Sequence, residues 1–277
     1  MKCSLNTMFK YVTTERHLLS KLLEYERKNV KSILDYAIEK LGPAHIDAYI
    51  HKRKTLFEMF PSHHHSFKLS AIGFDHKRFF ELMNTARENN CTVLVDAEES
   101  HVQSKIDAQS NYVIANGHPQ VYKTYQMYRK DAMEKLMDDI EQFKKCNLVH
   151  NIKLVRGAYI LTDDRFVVHD TKEQTDAAYD NAVKMLLKLA KDDANMNVIF
   201  ATHNHKSIRL IKDTYEPNIS HAFLMGMEPS GILDAKINKM VHIPFGPIHM
   251  TTPYLARRFI ENNRYLDAFL AYQGGRH

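Results

Sequence analysis

A chain of 277 residues, 44% hydrophobic and 26% charged, has the apolar content for a sizeable core, which excludes an intrinsically disordered protein. Nine glycines and eight prolines, with no Gly/Ser/Pro-rich break, leave no linker at which two domains would part. The formal charge of +5 is dispersed among Asp and Glu and forms no nucleic-acid-binding stripe, the irregular Cys3, Cys91 and Cys146 exclude a disulfide framework or a zinc site, and no apolar run reaches the roughly 18 residues of a membrane span.

In chain order, residues 1–22 carry Lys2, Lys10, Arg16 and Lys21 against Glu15 alone. They echo an organelle presequence faintly, lack its Arg and Ser richness, and are read as part of an N-terminal helical segment over 1–29. The first apolar run is "SILDYA" (32–37). "HKRK" (51–54) reads as the solvated face of a helix. The triple His63, His64, His65 is read as an irregular segment whose consecutive side chains cannot all face one ion, so no metal site is expected.

Seven further runs follow: "FKLSAI" (67–72), "TVLVDA" (92–97), "QVYKTYQ" (120–126), "IKLVRGAY" (152–159), "NVIFATH" (197–203), "ISHAFLM" (219–225) and "MVHIPF" (240–245). Each is strand-like, and between them lie segments such as "MEKLMDDIEQFKKC" with apolar residues three and four apart. Eight strand–helix units in about 250 residues predict an α/β fold, a single distorted TIM-like (βα)8 barrel over 30–277. Lys68, Asp96, Gln126, Lys153 with Arg156, Thr202 with His203, and His242 fall within or just after the second halves of these strands. In a parallel barrel such positions crowd one mouth, where active sites are built.

The last segment, "TTPYLARRFIENN", predicts a helix with Thr252 as N-cap and Pro253 in its first turn. Tyr254, Arg257, Arg258 and Glu261 then share one face. Two readings stand open: a solvated face with an Arg257–Glu261 pair, or a clamp in which two planar guanidiniums hold a small carboxylate with Lys68 nearby. No G-x-G-x-x-G, P-loop or nucleophile elbow is present. His203 and His205 in "ATHNH" are read as hydrogen-bonding residues. Lys68 and Lys153 keep a Schiff-base lyase as a rival chemistry.

The ordered set "FKLSAIG", "LVDAEES", "TYQMYRKDA", "KLVRGAY", "ATHN", "LMGM", "PFGP" and "YLARRFIENN" resembles the proline dehydrogenase (proline oxidase) family over roughly residues 30–265. The resemblance implies a distorted barrel that holds FAD noncovalently, oxidises L-proline to 1-pyrroline-5-carboxylate and passes electrons to a quinone, with transient membrane contact. Carried over residue by residue, Arg257, Arg258 and Lys68 would clamp the substrate carboxylate, and Tyr254, Tyr159, Leu224 and His242 would wall its pocket. Asp96 and Lys153 are the catalytic candidates, Lys153 near the flavin N5. Ala97, Gln126, Arg156, Gly157, Ala158, Thr202 and His203 would follow the cofactor, and Glu261, on that side as well, would order the arginine helix. The setting implied is cytoplasmic or peripheral at a membrane, or the mitochondrial matrix in a eukaryotic host.

Two departures matter. His242 stands where proline-oxidising members usually carry a tyrosine packed on the substrate ring, so hydroxyproline is the alternative substrate. Phe223 stands where relatives often have a polar residue. A barrel that binds amino acids without catalysis is the remaining alternative.

Overall fold

A computed structural model of the chain describes residues 10–38, 41–160, 162–247, 250–252 and 254. The elements run α1 (Glu15–Glu26), β1 (Lys31–Tyr36), α2 (Ile46–Met59), β2 (His64–Phe67), α3 (His76–Glu88), β3 (Thr92–Val95), α4 (Ser100–Ala115) and β4 (Val121–Gln126). They continue through α5 (Ala132–Lys145), β5 (His150–Val155), α6 (Lys172–Asp192), β6 (Met196–Ala201), α7 (His205–Ile211), β7 (Ile219–Leu224) and β8 (Asn238–Phe245). Every strand pairs in parallel with its sequence neighbour, and β8 closes on β1 with His242 opposite Ile33. The predicted eight-stranded barrel is the observed architecture.

Strand periodicity of two sorts the side chains. In β5, Ile152 and Leu154 point outward and pack with Leu136, Tyr179, Val183 and Leu186 of α5 and α6, while Lys153 and Val155 face the interior above an inner layer of Ile33, Leu94, Ile199, Ala222 and Met240. Helix starts carry their own signals: Asp75 accepts the Arg78 N–H, Asn204 the Lys206 N–H, and Thr171 with Gln174 forms a capping box. Asn29, Asn90 and Asn147 take φ near 55°, 54° and 52° at helix-to-strand returns, a left-handed turn that Asn tolerates better than most residues.

Helix α1 is part of the barrel's outer layer. Its Leu18, Leu22 and Tyr25 pack with Leu34 of β1 and Val241, Ile243 and Phe245 of β8, and Thr13 bridges to Phe245. The seam where the last strand meets the first is therefore covered by the chain's own beginning.

Four local readings are corrected. The run "FKLSAI" is not one strand: β2 ends at Phe67, and Leu69–Ile72 form a 3₁₀ turn closed by Gly73 at φ 64°. Its buried Leu69, Ala71 and Ile72 suit a tight turn as well as a strand, which periodicity over so few residues does not separate. The strand begins in the histidine triple instead. His64 and His65 belong to β2, and the buried His65 ring meets Phe57 edge-on at 4.9 Å. Thr252 is already helical, so it does not hold the cap position.

The fourth correction is "HKRK". Arg53 lies on the core stripe of α2 with Tyr49, Leu56 and Phe57, fully buried, its guanidinium 5.2 Å from the Phe57 ring centre and 5.4 Å from that of Phe67. None of its three side-chain nitrogens has a hydrogen-bond partner among the described residues. Ring contacts return up to about 2 kcal/mol, less than the cost of desolvating an unpaired charge. Arg53→Met is therefore expected to stabilise the fold by about 1–4 kcal/mol, read as a higher urea midpoint at unchanged slope. A lower midpoint would refute this account of α2.

Histidines whose pKa is lowered by burial, His64 and His65 of β2 among them, set the acid limit. Burial pushes His150 and His221 down to about 4, against about 6.5 in the unfolded chain. Between those values the unfolded state binds protons that the folded state refuses, so stability is full above pH 6.5 and is lost as pH falls toward 4. The melting temperature should decline through that window, ahead of the carboxylates, and a flat profile from pH 6.5 to 4.5 would contradict the burial of these rings.

Candidate functional site

The strands end at one mouth, and there a cavity of about 540 Å³ opens into the barrel. Lys68 and Asp96 stand one residue past β2 and β3, Gln126 and Leu224 are the last residues of β4 and β7, and Thr202 and His203 follow β6 directly. Lys153 reaches up from within β5, and His242 from within β8. Together with Ala97, Arg156, Gly157, Ala158, Tyr159 and Tyr254 they all line this cavity. The three remaining candidates, Arg257, Arg258 and Glu261, lie outside the described residues.

Asp96 is the electrostatic centre. Its Oδ1 accepts from Lys153 Nζ at 2.7 Å, and its Oδ2 accepts from Ser66 Oγ at 2.8 Å and Lys68 Nζ at 3.2 Å. Burial works to raise the pKa of this carboxyl, but the charges of Lys153, Lys68 and His242 overcome it and hold it far below the usual carboxylate range. Each lysine donates to this one carboxylate.

Sequence reasoning missed Asp35. It sits on β1, turned inward like Ile33, and its Oδ2 lies 2.9 Å from His242 Nε2. Burial opposes ionisation here too, but Lys68 and His242 hold Asp35 at about 2. The carboxylate accepts the Nε2–H of the His242 ring. The available signal was an acid placed in an otherwise apolar parallel strand, "SILDY".

The opposite side of the cavity is built from loops. Arg156 donates from Nε to Asp176 at 2.6 Å, from Nη1 to Thr202 Oγ1 at 2.6 Å and from Nη2 to Ser207 at 2.7 Å, with its guanidinium 4.2 Å from the Tyr179 ring centre. The Gln126 amide spans two loops, donating to the Glu98 carbonyl at 2.9 Å and accepting from Ala158 N at 3.4 Å. His203 Nε2 accepts the Leu224 N–H at 3.0 Å. Phe223, the second departure noted above, is buried and packs with Tyr25 and His221. It serves the packing beneath α1.

The wall between these groups is made of Ala97, Gly157, Ala158, Ala201 and Ala222 with Ile33, Val155 and Leu224. Such short side chains leave a broad apolar slot bordered by amides, hydroxyls and ammonium groups. That donor set suits a flat aromatic heterocycle with a polar edge and a small zwitterion beside it.

The family model described as proline dehydrogenase matches residues 18–269. The mitochondrial proline dehydrogenase 1 of Arabidopsis thaliana is 33% identical over 211 residues, 68% of this chain and 42% of that protein. The hydroxyproline dehydrogenase of Xenopus laevis is 26% identical over 215 residues, covering 69% of this chain and 46% of its own length. The chain thus spans less than half the length of these relatives. Among solved structures, proline utilization A from Bdellovibrio bacteriovorus, inactivated by N-propargylglycine, superposes with a TM-score of 0.80 at 18% identity, over 96% of this chain and 34% of that one. This last likeness concerns the fold.

Proposed function

Because the chain belongs to the proline dehydrogenase family, we propose that it oxidises L-proline to 1-pyrroline-5-carboxylate, with FAD held noncovalently in the mouth of the barrel and a quinone as final acceptor. The observation that carries this reading is the convergence of Lys68 and Lys153 on the Asp96 carboxylate beside a slot walled by Ala and Gly. Gln126, Arg156, Gly157, Ala158, Thr202 and His203 would hold the cofactor from the loop side, with Ala97 at the wall and Lys153 toward its reactive face; Glu261 is assigned to the same side. When bound, FAD supplies the acceptor for the hydride that leaves the ring carbon next to the substrate nitrogen.

The residues of the chain bind and orient. A proline zwitterion brings one carboxylate and one ammonium; Lys68 meets the former, with Arg257 and Arg258 assigned beside it, while Asp96 holds both lysines fixed in direction. Tyr159, Leu224, His242 and Tyr254 enclose the ring and exclude water. As the C–N bond becomes C=N, the nitrogen gives up its proton to solvent. Holding the carboxylate sets the distance of the reacting carbon, which is the main service a protein can add to flavin chemistry.

The purified protein reconstituted with FAD should be yellow and bleach when proline is added. A protein that takes up no FAD would defeat the reading. It would also favour a barrel that only binds amino acids.

One observation favours a second substrate. His242 lines the cavity and its Nε2 is engaged by Asp35, so the ring offers its second nitrogen, Nδ1, to whatever occupies the cavity. A ring hydroxyl would hydrogen-bond to it, and a Xenopus relative bears the name hydroxyproline dehydrogenase. Trans-4-hydroxy-L-proline should be turned over measurably beside proline, and His242→Phe should cut the hydroxyproline-to-proline ratio of kcat/KM by about tenfold, the worth of one hydrogen bond. Turnover confined to proline would end this second reading. The relatives named as mitochondrial support a matrix setting, with quinone reduction at the membrane surface. No helix among the described residues is long and apolar enough to cross a membrane.

A further inference from the structure

Three loops that ring the cavity are tied together at a point behind its wall. Tyr128, two residues past β4, donates its N–H to the Arg156 carbonyl at 2.7 Å, and its own carbonyl accepts the His169 N–H at 2.8 Å. Its ring occupies the space where a side chain on Gly157 would project: a Cβ placed there would lie 1.7 Å from the ring. The Tyr128 hydroxyl donates to Asp163 Oδ2, and Asp163 Oδ1 accepts the Ser100 N–H at 2.7 Å, at the first residue of α4.

The backbone of Asp163 completes the chain of contacts. Its N–H and that of Thr162 both donate to the carbonyl of Tyr159, at 2.8 and 2.9 Å, and Tyr159 is a cavity wall. Where Asp163 sits therefore decides where Tyr159 sits. The pair is enclosed, Tyr128 at 2% and Asp163 at 8% exposure, and burial keeps the phenol a proton donor. For stability alone an apolar pair of the same volume would serve as well, because a buried carboxylate costs desolvation. What a hydrogen bond adds is a defined distance and angle.

We propose that Tyr128 and Asp163 are positioning residues, a latch outside the cavity that holds the Gly157–Tyr159 arch at the height the isoalloxazine requires. The proposal rests on the reading of this mouth as an FAD site. The latch touches neither substrate nor cofactor. It acts by fixing the arch before either arrives, so that little ordering remains to be done on binding.

The test uses the full chain as wild type, Tyr128→Phe and Asp163→Ala. FAD affinity is read by quenching of flavin fluorescence, the set of the ring by visible circular dichroism, and the arch by amide exchange at Thr162 and Asp163 in flavin-free protein. Expected are an FAD Kd raised about tenfold or more in each variant, an altered flavin dichroism, and faster exchange at those two amides. A purely structural role would lower the melting temperature while leaving FAD Kd and dichroism unmoved, and that result overturns the latch. Should Asp163→Ala fail to fold, Tyr128→Phe, which removes one oxygen, decides by the same readings. A wild type that takes up no flavin defeats the FAD reading and the latch with it; equal flavin affinity in wild type and variants defeats the latch alone.

Discussion

Asp96→Asn is expected to lower kcat/KM for proline by about 10²–10³-fold. The substitution keeps shape and removes charge, and Lys68 and Lys153, both nearly buried, lose the carboxylate between them. Removing one partner of a buried ion pair costs about 3–5 kcal/mol, and each 1.36 kcal/mol that reaches the transition state is a factor of ten. The two ammonium groups then repel and swing away from the positions that orient the substrate carboxylate. Because Asp96 is held far below the usual carboxylate range, it stays ionised throughout the working pH range, and the wild-type rate profile should show no acid limb near pH 4 that belongs to it. Steady-state kinetics with a soluble dye as acceptor give the answer. A loss smaller than fivefold would separate this cluster from the chemistry of the site.

Gly157→Ala is expected to weaken FAD binding by at least 100-fold and to lower the melting temperature. Two effects add. The residue sits at φ +134°, a region that L side chains rarely adopt, and enforcing it costs about 1–3 kcal/mol. The new methyl would also lie 1.7 Å from the Tyr128 ring, which is buried and has nowhere to retreat. Steric and backbone parts can be told apart by a double-mutant cycle: adding Tyr128→Ala should relieve the first and leave the second. Flavin affinity and melting temperature equal to those of wild type would show that the arch bends freely, contrary to the contacts described here.

Much of the architecture was legible in the residues. Eight β-branched or apolar runs between amphipathic segments demand a parallel barrel, because strands buried on both sides read as continuous apolar stretches and their helices as stripes. The placement of polar residues at strand ends likewise pointed to one mouth, and Lys68, Asp96, Gln126, Lys153, Thr202, His203 and His242 do meet there. Where the signal was short it misled. The three apolar residues Leu69, Ala71 and Ile72 suit a turn as readily as a strand, and a basic run such as "HKRK" looks solvated until helical phase is known, whereupon Arg53 falls on the buried stripe.

The pairings were another matter. His242 stands in the sequence with no sign of its partner, since Asp35 lies 207 residues earlier and reaches it only because the eighth strand closes on the first. Tyr128 and Asp163 are joined across 35 residues by loops that carry no periodic pattern. Local preference and apolar spacing are properties of neighbours along the chain, so they specify which segments become strands and helices and which ends carry charge. Which charge meets which, and which glycine is backed by which ring, depends on contacts between residues far apart in sequence. Those follow only once closure of the barrel has brought the segments side by side.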